Sequence, residues 1–501
     1  LWKVVGATPT CEDRAVSNHD RLTALDAGFL HLERSGAHMH VAGVLIFEGK
    51  APAYDELVDA IEARMHLVPR YRQKLAHVPF GQGRPVWVDD PHFNARYHLR
   101  HSALPSPGSD EQLRNLAGRL FALPLDRTKP LWELNLVEGL EGDRFAIISK
   151  THHALVDGVS GVDITSVLFD LSPDATPPAA EGREWVPRPE PTDAELLVQA
   201  LLERATVPAE GVRGLRALTR APRQALGQAG EWLVGVGAMA WAGLNPAPPS
   251  PFNVPIGPHR RYTWVDSEVA CFKAIKNALG GTLNDVVLSA VTLALGRFLR
   301  RRGVETDGLV LKAMVPVSVR ANTQRGALGN RVAAMWAPLP VGVTDPEAVL
   351  SEVAEAMRGI KESGQAVGAV ALTSLADFAP PTIMSQAARL QARQRFFNLV
   401  VTNVPGPQVP LYLLGRRMIR FYPVVPLAHH QALGIAIMSY DGRLGFGLLG
   451  DYDAMGDLET LAGDLRVAID DLTRAAGLPG SEPPARGASA PRRSPAYSSA
   501  R

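Results

Sequence analysis

The sequence predicts an α/β protein of two folded halves of similar size joined by a long linker. Three observations carry this. The chain has 501 residues, more than one ordinary core organises and enough for two domains of roughly 200 residues with connectors. Segments with strand-like and helix-like spacing alternate in both halves. Two crowds of proline, Pro173 to Pro191 and Pro246 to Pro258, bracket the middle of the chain, where a fixed φ and a missing N–H interrupt regular elements.

In chain order, residues 1–20 are polar and without period and read as an extension. The first half, 21–172, holds strand-like runs at His40 to Phe47, Leu131 to Val137 and Phe145 to Thr151, with helical spacing at Asp55 to Leu67 and Asp110 to Phe121. Residues 173–258 form the linker, proline-rich at both ends. Its interior, 192–244, reads as helices broken at Pro208 and Pro222. The second half, 259–475, has strands at Leu309 to Val319, Val332 to Leu339, Asn398 to Thr402 and Leu433 to Ser439. Asp441-Gly442 is a hairpin signal leading into Leu444 to Leu449. Thr282, followed three residues later by Asp285, opens a helix to Arg302. Thr344-Asp-Pro346 opens another, with proline in its first turn. The tail, 476–501, is rich in Pro, Ser, Ala and Arg and is expected to be disordered.

Composition excludes several classes. The 52 basic and 51 acidic residues nearly cancel, which leaves no general basic face for nucleic acid. Two cysteines, Cys11 and Cys271, rule out a disulfide scaffold and a cysteine-bound metal cluster, and suit a reducing cytoplasm. No charged leader ahead of an apolar run is visible. The most apolar long stretch, Gly227 to Leu244, carries Glu231 and five glycines and makes a poor membrane span. Any membrane contact is expected to be peripheral. There is no phosphate loop, no HExxH helix and no GxSxG elbow.

What the chain does carry is His152-His153-Ala-Leu-Val-Asp157-Gly158, after the apolar run Phe145-Ala-Ile-Ile-Ser. Neighbouring side chains on a strand face opposite sides. One histidine can therefore be presented for chemistry while the other is packed or hydrogen-bonded. A neutral imidazole, with a pKa near ~6.5, suits a general base at neutral pH. Two structural histidines before an Asp-Gly turn would leave the same residues. A metal site is not expected, because the adjacent rings diverge.

HHxxxDG after a strand resembles the signature of the coenzyme A-dependent acyltransferase superfamily, shared with peptide-synthetase condensation domains. Pro130-Leu131-Trp132, Leu25-Asp26-Ala27-Gly28-Phe29-Leu30, Asn284-Asp285, Val315 to Arg320, Gly329-Asn330, Thr402 to Pro407 and Ser439-Tyr440-Asp441-Gly442 follow in an order similar to that of the bacterial wax ester synthase/acyl-CoA:diacylglycerol acyltransferases. The resemblance covers about residues 21–473. It implies two chloramphenicol-acetyltransferase-like domains with mixed sheets, a helical linker between them and an active site where they meet.

The resemblance further implies that His153 takes a proton from an acceptor hydroxyl during direct transfer from acyl-CoA, which is a substrate and not a cofactor; no other cofactor is expected. The acceptor would be diacylglycerol, extending to long-chain alcohols. Asn284, opening a helix, would donate to the oxyanion, although Asn284 and Asp285 could equally only cap that helix. Asp157 would pair with Arg320 and hold the Gly158 turn across the two halves. Pro130-Leu-Trp132 is expected to anchor a strand. Arg300-Arg-Arg302 closes a helix, with a contact to CoA phosphates as a secondary reading. Partners would be acyl-CoA, the lipid alcohol and a lipid surface. The expected location is cytoplasmic, partly at the inner face of the membrane or on lipid inclusions; Trp232 to Trp241 is the most apolar candidate contact, although a linker helix packed on the domains would leave the same residues. A condensation-type enzyme acting on carrier-bound acyl groups, or an inactive relative on lipid bodies, are the alternatives; the ordered second-half motifs favour the lipid enzyme.

Overall fold

The computed structural model describes residues 21–33, 36–156, 168–175, 185–202, 246–318, 332–362 and 396–479. The expected extension, most of the tail, Asp157, Gly158, Arg320 and Trp232 to Trp241 lie outside them.

The first half opens with α1 (Ala24–Leu32), β1 (His40–Glu48) and α2 (Tyr54–Arg64). A short hairpin, β2 (Gln73–Ala76) and β3 (Val86–Asp89), leads to α3 (Ala95–His98), β4 (Leu99–Ala103) and α4 (Asp110–Ala122). Then come β5 (Trp132–Leu140), β6 (Arg144–His152) and the single turn α5 (His153–Val156). A helix at 193–202, here α6, belongs to the expected linker.

The second half runs β7 (Arg260–Glu268), α7 (Val269–Leu279), α8 (Leu283–Arg301), β8 (Val310–Ser318), β9 (Val332–Pro340) and α9 (Pro346–Glu362). It ends with β10 (Leu399–Pro405), β11 (Tyr412–Leu413), β12 (Arg416–Val424), β13 (Leu433–Tyr440), β14 (Arg443–Asp451) and α10 (Leu458–Ala475). Most expected elements are present to within a few residues. The start of α8 is fixed by a reciprocal cap: the Asp285 N–H donates to Thr282 Oγ1, and the Thr282 N–H donates to Asp285 Oδ2.

Two six-stranded mixed sheets result, ordered β11-β12-β1-β6-β5-β4 and β7-β14-β13-β10-β8-β9. The first contains strands from both halves, because β12 runs antiparallel to β1 from Ala42–Val424 to Phe47–Met418. The crossing strand lies close over the second sheet. A Cβ at Gly445 would come within 2.2 Å of the Phe421 carbonyl oxygen, and one at Gly447 within 1.8 Å of that of Pro423. Glycine inside a strand admits such an approach.

The first sheet is apolar on both faces. Leu45, Phe47, Phe145, Ile147, Leu134 and Leu136 bury themselves with α1 and α2. Val44, Ile46, Ala146 and Ile148 face α4 and share one core with Tyr262, Val265 and the helices of the second half. At about 1.5–3 kcal/mol per fully buried large apolar side chain, this shared core is the main force joining the halves.

The described parts of the expected linker are packed. Leu196 and Ala200 of α6 bury against the β2–β3 hairpin. In the second proline-rich stretch Phe252 is fully buried, and Asn398 donates to the Pro248 carbonyl and to Asn253 Oδ1. No single described helix is long and apolar enough to cross a membrane; α7 and α8 pass by composition only together, and they meet at 97°. α8 is buried along most of its length.

Candidate active site

His152 is the last residue of β6 and His153 the first of α5, so the strand ends between them. His152 lies opposite His40 of β1, and its N–H donates to the carbonyl of Leu131, beside the anchoring Trp132. Trp132 is itself buried. Its indole N–H donates to the Tyr71 carbonyl, and its ring stacks on His98 at 4.6 Å. These contacts give Pro130-Leu-Trp132 the anchoring place expected of it.

The His152 ring is buried, and its Nδ1 accepts from the Ala154 N–H at 3.1 Å. Nδ1 as acceptor assigns the neutral ring's proton to Nε2, which lies 3.4 Å from Glu33 Oε1. His40 Nε2 lies 3.5 Å from the same oxygen. Glu33 follows α1 directly. It also accepts from the Met39 N–H at 2.8 Å and from the Arg127 guanidinium, which bonds the Leu30 carbonyl as well. Burial pushes the Glu33 carboxyl up, but the hydrogen bonds and charges of His152, Arg127 and His40 outweigh it. The group sits far below the usual carboxylate range. Burial, with the Lys150 charge behind it, keeps His40 well below the ordinary histidine value. Lys150 is buried one strand position pair away, bonded to Glu133 at 3.1 Å and to the Leu120 and Leu123 carbonyls.

His153 is partly exposed. Its N–H donates to the Met39 carbonyl at 2.8 Å, and its imidazole stacks on Phe29 of α1, centroids 4.0 Å apart. The chain thus separates the pair. His152 is locked inside a hydrogen-bonded group, while His153 stands at a strand end with one ring face on a phenyl.

Glu33 and Arg127 lie outside every motif of the sequence. Phe29 lies within Leu25 to Leu30, but nothing in that segment tells which residue reaches His153. Glu33, His38 and His40 bring donor atoms within 4.8 Å of one another, a spacing that could hold a metal ion. The Glu33 carboxylate is already engaged by Arg127 and the Met39 N–H, and that favours a hydrogen-bonded anchor.

A narrow crevice beside this group is lined by His38, His40, Ala42, Phe121, Arg260, Val424 and Leu427. It therefore draws on both halves. Arg260 is buried, donates to the carbonyls of Gly36, Gly257 and His259, and approaches Asp451 to 3.8 Å.

Asn284 opens α8, and its Oδ1 accepts from Asn403 Nδ2 at 3.2 Å, which leaves its own amide N–H groups to donate elsewhere. Asp285 is buried in the helix cap. The three arginines at the end of α8 are taken: Arg300 bonds Thr306 and the Val341 carbonyl, Arg301 pairs with Asp464, and Arg302 with Asp457. These contacts favour the helix-terminal reading over a CoA phosphate site. Asp157, Gly158 and Arg320 lie outside the described residues.

The chain matches the family model for the wax ester synthase/diacylglycerol acyltransferase catalytic domain over residues 22–287 and that for the WS/DGAT C-terminal domain over 328–473. It is 33% identical over 466 residues to the probable diacylglycerol O-acyltransferase tgs1 of Mycobacterium tuberculosis, covering 90% of this chain and 95% of that one. It is 34% identical over 472 residues to tgs2 of the same organism, covering 92% and 100%. Among solved structures it is similar to the wax ester synthase/diacylglycerol acyltransferase from Marinobacter aquaeolei VT8, with a TM-score of 0.64 and 27% identity over 91% of this chain and 100% of that one. The first condensation domain of the calcium-dependent antibiotic synthetase shares the fold, with a TM-score of 0.54 at 17% identity.

Proposed function

The chain belongs to the wax ester synthase/diacylglycerol acyltransferase family and is an acyltransferase of diacylglycerol, and we propose that His153 is the base of its transfer from acyl-CoA. The observation that carries this is the separation of the two histidines: His152 is buried and accepts from the Ala154 N–H, with Nε2 turned towards Glu33, and His153 is displayed against Phe29.

In the reaction, His153 accepts the proton of the acceptor hydroxyl as its oxygen attacks the thioester carbonyl carbon. A tetrahedral intermediate forms, and its oxyanion needs a donor. Asn284 fills that role with the amide N–H groups that Asn403 leaves to it. The intermediate collapses with loss of the C–S bond, and the departing thiolate takes the proton from His153. The products are triacylglycerol and free coenzyme A, with no acyl-enzyme and no cofactor. Asp157 and Arg320, paired as the resemblance implies, would hold the Gly158 turn. Long-chain alcohols are acylated by the same steps, giving wax esters. The enzyme meets these acceptors at the inner face of the membrane or on lipid inclusions.

The test is an assay with labelled acyl-CoA against diacylglycerol, a long-chain alcohol and a small polar alcohol, with carrier-bound acyl donors in parallel. Labelled triacylglycerol from acyl-CoA, abolished by His153→Ala, is expected. Transfer only from carrier-bound donors would favour a condensation-type enzyme. No transfer by the wild type would favour a lipid-body protein.

A further inference from the structure

Between the end of β3, α3 and the chain before β5 lies a cavity of about 230 Å³, lined by Asp90, His92, Asn94, Tyr97, His98 and Lys129. Among the described contacts none of these residues touches His152 or His153. One link runs through His98, whose ring bonds the carbonyl of Trp132, the residue after Leu131, and the Leu131 carbonyl holds the His152 N–H.

Two acceptors stand in the wall. Asp90 is 2% exposed. Its Oδ1 accepts from the His92 N–H at 3.1 Å, while no donor among the described residues reaches its buried Oδ2. A buried carboxylate oxygen without a donor is costly. The backbone keeps it there: the Asp90 N–H donates to the Arg72 carbonyl, and the Asp90 carbonyl accepts from the Phe93 N–H. His98 is the second acceptor. Burial lowers its pKa to about 4, so the ring is neutral at neutral pH. Its Nδ1 donates to the Trp132 carbonyl at 2.9 Å, which leaves Nε2 to accept. Stacking on Trp132 at 4.6 Å and on Phe93 at 5.5 Å holds the ring in place.

The rim supplies donors. Asn94 Oδ1 is taken by the Arg96 N–H, and the amide N–H groups remain to donate. Lys129 is half-buried, its Nζ 5.9 Å from the Tyr97 ring. The charges around the cavity oppose a simple ion. A cation on Asp90 would meet Lys129 and Arg100, which both lie over Tyr97, and an anion on Lys129 would meet Asp90. A hydroxyl donates and accepts at once. A ligand with several hydroxyls therefore satisfies both sets without net charge, and its bond to a carboxylate is charge-assisted. At ~30 Å³ per water the cavity has room for about seven, which suits a molecule of roughly three to six carbons.

We propose that this cavity binds a small neutral polyol. Its hydroxyls donate to Asp90 Oδ2 and His98 Nε2 and accept from Lys129 and Asn94, and Tyr97 supplies the apolar side.

Saturation-transfer NMR on the full chain with millimolar glycerol, erythritol and glucose tests the proposal, with methylammonium and phosphate as charged probes. At least one polyol should receive saturation, and neither charged probe should displace it. Asp90→Asn keeps an acceptor for the His92 N–H, and Lys129→Met changes only the rim. Both should keep the wild-type melting temperature and turnover. Asp90→Asn should weaken polyol binding about ten-fold or more and Lys129→Met roughly three-fold. If Asp90→Asn melts early, Lys129→Met alone decides. A wild type that saturates none of the three polyols overturns the proposal. Binding that the variants leave unchanged also overturns it, because the polyol then sits elsewhere. Displacement by methylammonium would make the cavity a cation site, and displacement by phosphate an anion site; either result overturns the polyol.

Discussion

The imidazole of His153 lies on the phenyl ring of Phe29, centroids 4.0 Å apart and planes 25° from parallel. A stacked ring fixes the orientation of an imidazole without competing for its nitrogens. An aromatic pair contributes about 0.5–1.5 kcal/mol beyond its buried area. Phe29→Leu keeps the apolar volume and removes the stack, and it should lower kcat by roughly 3- to 10-fold with KM for acyl-CoA little changed. His153→Ala should lower kcat by roughly 10²–10⁴. Steady-state kinetics on both variants checks the order, and a Phe29→Leu enzyme with full kcat would remove the positioning role.

Glu33 gathers Arg127, His152 and the Met39 N–H at the end of α1. Hydrogen bonds to a charged group contribute about 1.5–3 kcal/mol each. Glu33→Gln should lower the melting temperature at neutral pH and reduce activity through His152, whose ring it faces. The depressed carboxyl gives a sign as well: its stabilisation is present above the unfolded pKa of about 4.3 and is lost as pH falls below it. The acid limb of a stability curve should therefore be shallower in Glu33→Gln.

His98 supplies a second acid-sensitive element. Burial lowers its pKa to about 4, against the favourable bond of its ring to the Trp132 carbonyl. The unfolded chain binds the proton more readily between that value and ~6.5, so stability should fall with pH across this window. At about 1.4 kcal/mol per unit the loss is roughly 3 kcal/mol. Urea midpoints from pH 7 to 4 measure it, and His98→Asn should flatten the dependence; an unchanged slope would assign it to other groups.

Asn284 can act on the oxyanion, on the helix cap, or on both. Asn284→Asp keeps an acceptor for Asn403 Nδ2 and puts a negative charge in the first turn of α8, where the helix dipole favours it, but cannot donate as a carboxylate. If Asn284 donates to the intermediate, this variant should retain its melting temperature and lose roughly 10²–10³ in kcat. If it only caps, the rate should hold. Asn403→Ala should give a smaller loss, because it frees the Asn284 amide to rotate.

Arg260 carries the contact between β7 and the segment before β1, through its bond to the Gly36 carbonyl. Removing one partner of a buried ion pair typically costs about 3–5 kcal/mol. Here the cost should be nearer the lower end, because Asp451 keeps the Gly257, Asp453 and Ala454 N–H groups. Arg260→Met should lower both stability and kcat, the latter because Gly36 leads into His38 and His40; thermal unfolding and turnover measured together test the link.

The sequence by itself determined the elements and the parting of two adjacent histidines. Alternation, helical spacing, the Thr282–Asp285 cap and the Asp441-Gly442 turn act over a few residues, and the structure places those elements where the local signals did. Period two on β6 was enough to say that His152 and His153 part. Only the tertiary structure decided what surrounds them. Pairing β12 with β1 joins segments some 370 residues apart, and its local traces are glycines: Gly43 on β1 makes room for the Phe421 ring, and Gly445 and Gly447 admit the crossing backbone. Glu33, Phe29 and Arg127 carry no motif chemistry of their own. They converge on the histidines because α1 packs across the end of β6, a consequence of burying its apolar face that no spacing along the chain encodes.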